Sequence, residues 1–136
     1  MRTSVSLDVE ACGEVLLSIG ACTFSEETGE TFLEFYSVLP IRAQIDAGLR
    51  MDEAAFRWWL GQSEIARNAI AKTTDSTVQE ALAMLAAWWP EKDARTWCYP
   101  TSYDLPLVAR VYGRFNLRAP WKWTETMDCR TIWKLA

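Results

Sequence analysis

The chain has 136 residues, half of them hydrophobic and 24% charged, which suits one domain with a substantial core. Its net charge of −4 and pI of about 4.9 argue against a basic protein that coats nucleic acid without selectivity. There is no histidine, which excludes His-based triads and imidazole metal ligands and leaves carboxylates, tyrosines, lysines or thiols to carry any chemistry.

In chain order, alternating polar and apolar residues predict a strand over 3–9; a second strand is predicted over 15–24 and a third over 31–39, which Pro40 ends. The segment 26–30 contains Gly29 and predicts a hairpin turn between the last two. The pattern then becomes helical. Asp52 is a fitting N-cap for 53–60, Ser63 for a short helix over 64–72, and Ser76 or Thr77 for a longer one reaching Trp89, before Pro90. A short buried strand is expected over 95–99, a helix over 103–112, and a last helix over 128–135. Strands, then helices, then a strand and a helix predict an α/β fold with a mixed sheet.

Asp8 and Glu10, in Leu7-Asp8-Val9-Glu10, fall two apart on the first strand and so share a face, roughly 6–7 Å apart along it. Like charges at that spacing raise each other's pKa unless a cation lies between them, and hard divalent ions prefer oxygen ligands. The pair therefore reads either as half of a metal site or as a solvated edge-strand face. Asp104 follows the strand at 95–99, where a strand hands over to a helix and where open α/β sheets place ligands. It reads as a third carboxylate facing the first two, or as a cap of its helix.

These residues carry a family resemblance. Leu7-Asp8-Val9-Glu10 followed by Leu17-Ser18-Ile19-Gly20-Ala21 resembles the first motif of the DEDD (DnaQ-like) 3′–5′ exonucleases, on the ribonuclease H-like fold. Trp58-Trp59-Leu60-x-Gln62-Ser63 resembles a helical insertion of their phage and bacterial exoribonuclease branch, and Ser102-Tyr103-Asp104-x-Pro106-Leu107 resembles its second motif. Pro120-Trp121-x-Trp123 and Asp128-x-Arg130-Thr131-Ile132 are similar to its following segment. The resemblance implies an α/β, ribonuclease H-like mixed sheet, a three-strand antiparallel meander plus parallel strands flanked by helices. It also implies two Mg²⁺ or Mn²⁺ ions, with Asp8 bridging both, Glu10 binding one and aligning water, and Asp104 holding the other. The substrate implied is the 3′ end of single-stranded RNA, in preference to DNA. Ala11, Trp58, Tyr103 and Arg110 are the candidate substrate contacts.

Two departures stand out. Ala11 replaces the family's common Thr, and no third motif, a His or Tyr base followed by the fourth Asp, is found in 1–136. The expectation is one exonuclease-like domain over 1–136, C-terminally incomplete, with Asp128 the candidate for a fourth ligand. A nucleic-acid-binding module without activity, and a ribonuclease H-like endonuclease, remain as alternatives.

The four cysteines form no CxxC pair, which reads as free thiols in a reducing compartment rather than structural zinc. No apolar run is long enough to span a bilayer, and the N-terminus shows no signal-peptide pattern. A cytoplasmic protein without membrane contact is expected, its oligomeric state open and a homodimer among the options. Trp88, Trp89, Trp97 and Trp133 are expected in the core, Arg110 and Arg114 at the surface, and only one of Trp58 and Trp59 fully packed.

Overall fold

The structure, a computed structural model, describes residues 3–136. Strands β1 (Thr3–Cys12), β2 (Val15–Ser25) and β3 (Thr31–Val38) form an antiparallel meander. Gly13 closes the first turn at φ +66°, with Asp52 N 2.7 Å from where a Cβ would stand, so a side chain there would meet both strain and backbone. Two short strands, β4 (Thr96–Cys98) and β5 (Thr126–Asp128), add in parallel, giving the order β3-β2-β1-β4-β5. Six α-helices among the described residues flank this sheet: α1 (Ile41–Asp46), α2 (Glu53–Leu60), α3 (Glu64–Ile70), α4 (Val78–Trp88), α5 (Thr101–Arg114) and α6 (Cys129–Leu135). The mixed sheet and its helices form the α/β, ribonuclease H-like arrangement the sequence predicted.

Alternation on β1 divides the layers. Val5, Leu7 and Val9 enter the main core with Leu82 and Leu85 of α4 and Val108 and Tyr112 of α5. The Tyr112 hydroxyl donates to the Leu82 carbonyl at 2.7 Å, tying α5 to α4. A smaller cluster joins Cys12, Leu17 and Trp59, which brings α2 against the far end of the meander. There the Trp59 indole N–H donates to the Ala11 carbonyl at 2.9 Å.

The expected caps are present: Asp52, Ser63 and Thr77 accept from Ala55, Ala66 and Glu80 N–H groups. Other features differ from the sequence reading. Helix α1 was not expected; its buried Gln44 accepts from Leu16 N–H and donates to the Leu16 and Pro40 carbonyls. Strand β5 was not expected either, since three residues are too few to show a period. Helix α5 begins at Thr101 rather than at 103. Trp133 is 78% exposed, not in the core, because α6 borders an open recess of about 580 Å³ rather than packing flat on the sheet. No helix among the described residues is long and apolar enough to cross a membrane.

Candidate active site

The site forms where β4 stops. The Val5 N–H donates to the Arg95 carbonyl at 2.8 Å, so odd-numbered N–H groups of β1 point toward β4. The ladder between them runs only from Val5↔Thr96 to Ser6↔Trp97. Beyond it β1 continues to Cys12 with that edge free, and the chain after β4 turns through a cis Tyr99–Pro100 peptide into α5. Asp104, in the first turn of α5, occupies the gap and takes a hydrogen bond from the Val9 N–H. It does not cap the helix, whose N-cap position is Pro100 with no side-chain cap bond.

Asp8 and Glu10 share the face of β1 opposite the main core, opposite Gly20 and Ser18 of β2. A register shift follows Glu10, so the strand bends immediately after the pair. Asp8 is exposed, Glu10 half-buried and Asp104 only 3% exposed. The Asp104 carboxyl is pushed up to about 7, first by burial, then by the charge of Asp8 and a carboxyl–carboxyl contact with it, and least by Glu10. Burial and then Asp8 raise Glu10 in the same direction. Oδ2 of Asp104 is buried with no hydrogen-bond partner.

Like charges in contact and an orphaned carboxylate oxygen are an arrangement that a cation would relieve. In that sense the donor set fits a hard divalent ion. Among the described residues, no group of three or more His, Cys, Asp or Glu side chains is gathered closely enough to hold a metal unaided. The close pair is Asp8 with Asp104, and Glu10 stands beside it on the strand.

Asp128 ends β5 opposite Cys98 and accepts from the Arg130 N–H as the N-cap of α6. It belongs to the same electrostatic neighbourhood: burial first, then Asp104, Cys129, Asp8 and Asp128, push the Cys98 thiol up to about 12. β1, the start of α5 and the end of β5 thus gather negative charge around one buried, neutral thiol. Cys98 and the Val9 N–H are parts of the site that carried no sequence signal, since their role comes from where β4 ends.

The remaining candidates lie at varied positions. Trp58 is 58% exposed and meets Trp59 edge to face at 4.9 Å, while Trp59 is buried, as their adjacent placement on one helix predicted. Ala11 is half-buried, its carbonyl engaged by Trp59. Tyr103 is exposed one residue before Asp104. Arg110 forms an ion pair with Glu14 across the turn after β1. The Arg50 N–H and then Arg110 hold the Glu14 carboxyl below its ordinary range.

The sequence matches the model of the 3′-5′ exoribonuclease Rv2179c-like domain over residues 3–136. The chain belongs to this family. A nuclease of the 3′–5′ exonuclease type is therefore the class in which the carboxylates are to be understood. No curated protein matches the sequence.

Proposed function

We propose that the chain is a DEDD-type 3′–5′ exoribonuclease core that uses two divalent ions, Mg²⁺ or Mn²⁺, to hydrolyse the terminal phosphodiester of single-stranded RNA. The observation that carries this reading is the buried, partnerless Oδ2 of Asp104 beside Asp8, with the Asp104 carboxyl raised to about 7. Such a carboxyl is unfavourable as an anion in isolation and becomes favourable once a cation is shared. Asp8, Glu10 and Asp104 would hold the ions, with Asp128 a further candidate at the edge of the group. Bound there, the ions would supply Lewis-acid activation of water and neutralise the leaving 3′-oxygen. The protein's own part is to fix the donors. The Val9 N–H and the first turn of α5 hold Asp104 in place, and the ladder to β2 fixes the strand carrying Asp8 and Glu10. Trp58, Tyr103 and Ala11 would meet the terminal nucleotide, and Arg110, if released from Glu14, a phosphate.

The test is Mn²⁺ titration followed by calorimetry and by hydrolysis of a 5′-labelled RNA. The expected result is saturable Mn²⁺ binding, lost in Asp104→Asn, and a ladder of products shortened from the 3′ end, lost in Asp8→Ala. A circular single-stranded RNA cut as fast as a linear one would assign the site to an endonuclease instead. One observation favours a second reading, a nucleic-acid-binding module of low activity: the 136 residues contain no histidine to serve as general base. RNA binding that persists in EDTA, with no product at any Mn²⁺ concentration, would select it.

A further inference from the structure

Trp123 is 83% exposed, a solvent-facing setting that it shares among the tryptophans with Trp133 and Trp58. Trp121, two residues earlier, is half-buried and held from two sides. It meets Tyr112 edge to face at 6.3 Å and Trp89 at 5.7 Å with a 46° tilt. Its plane is therefore set by the core, whereas that of Trp123 stands on a short 3₁₀ turn.

Two recesses meet at Trp121. The first, about 250 Å³, runs along α5 past Thr101, Leu105 and Ala109 to Trp121 and Trp123. Thr101 and Leu105 flank Asp104 in sequence, so this recess starts at the turn that carries the candidate catalytic carboxylate. The second, about 480 Å³, continues from Trp121 over Trp89 to Lys92, Arg118 and Lys122. Its wall carries those three cations against one carboxylate, Glu91, in a chain whose net charge is −4. Lys122 is paired with Asp93 and also sits in the field of Glu125, so Lys92 and Arg118 carry most of the local positive charge.

We propose that Trp123, Trp121 and the Arg118–Lys92 wall form a binding track for the upstream part of a single-stranded RNA whose 3′ end lies at Asp8 and Asp104. The inference rests on the exoribonuclease reading for the polarity of the strand, but not for its binding. Aromatic faces followed by cations suit unpaired bases stacking in succession while the backbone passes the positive groups, a mode that tolerates any sequence. A track beside the site, rather than within it, makes affinity depend on strand length.

The test is fluorescence anisotropy of a 5′-labelled oligouridine of about ten nucleotides, measured in EDTA so that hydrolysis cannot intervene. Trp123→Ala should weaken binding about fivefold or more, and Trp123→Phe should restore most of it. Arg118→Ala should flatten the dependence of log K on log salt by about 0.7. Trp121→Ala would disturb contacts with Trp89 and Tyr112, so the exposed Trp123 carries the test. Unchanged affinity and salt slope in both Trp123→Ala and Arg118→Ala would overturn the proposal. So would a fall in sedimentation mass on Trp123→Ala, which would mean that a second copy covers this face. The two readings fail separately: hydrolysis absent while Trp123→Ala still weakens binding removes the nuclease and keeps the track. Hydrolysis abolished by Asp8→Ala while Trp123→Ala binds like the parent does the reverse.

Discussion

Asp104 shows how a single carboxyl can be unfavourable in the fold and still sit at the centre of a candidate site. Burial and Asp8 raise it from 3.8 to about 7, against one backbone N–H that lowers it. Between those two values the folded protein holds a proton that the unfolded chain releases. Stability in EDTA should therefore be full near pH 4 and fall as the pH climbs toward 7. Thermal melts at pH 5 and 7.5 measure this, and Asp104→Asn should remove most of the difference. At pH 7.5 that substitution should also stabilise the metal-free protein, by about 1 kcal/mol or some 3–5 °C, while abolishing hydrolysis. A melting temperature that drops in Asp104→Asn would show that the carboxyl is satisfied by contacts other than those with Asp8 and Val9. Added Mn²⁺ should raise the melting temperature of the parent and leave that of Asp104→Asn unmoved.

At the scale of elements, α1 and α2 both hold the turn end of the β1–β2 hairpin, where Ala11 pairs with Leu16: the Trp59 indole N–H of α2 donates to the Ala11 carbonyl, and Gln44 of α1 bonds Leu16. Near its start, β2 has no β3 residue opposite Leu16, since their pairing begins at Ser18↔Val38. The Gln44 side-chain amide takes the place of a strand there, bonding both Leu16 N–H and C=O. Gln44→Leu would leave these groups buried and unpaired, and urea unfolding should show a loss of about 2 kcal/mol or more. A loss under 0.5 kcal/mol would mean that water or a shift of α1 replaces the amide. This contact was illegible in the sequence, because Ile41–Asp46 is under two turns long and a Gln has no pattern to declare burial. The longer elements were legible for the converse reason. Alternation from Ser4 to Glu10 in β1, Gly29 at a positive φ before β3, and hydroxyl or carboxylate caps before α2, α3 and α4 each state their role locally. The pair Asp8 and Glu10 was readable from strand period alone. That Asp104 would be buried was not, because it depends on β4 ending after Cys98 and exposing the edge of β1.

For the whole molecule, the question is how fast a site with these donors can turn over. The sheet brings together Asp8, on the part of β1 that runs past the end of β4, Asp104, in the first turn of α5 after β4, and Asp128, the last residue of β5, toward the end where open α/β sheets bind ligands. The acidic charge is thus assembled by topology rather than by one segment. The 136 residues hold no histidine, and two of the other groups near the site are engaged in ways that hinder taking a proton from water. The Cys98 thiol is held neutral at about 12, and Asp128 is committed to capping α6. A missing general base typically slows a hydrolysis by about 10²–10⁴-fold. The chain should therefore be a slow exoribonuclease, dependent on Mn²⁺ and silenced by Asp8→Ala. Single-turnover degradation of a 5′-labelled oligonucleotide measures this. Joining residues that supply a His and an Asp at the family's spacing should recover much of the lost factor. Ordinary enzymatic rates from the 136-residue chain would instead mean that one of its own groups takes the proton. Asp128→Asn is then the substitution to make, since Asp128 is the remaining carboxylate at this end of the sheet, and a fall in kcat with KM unchanged would identify it.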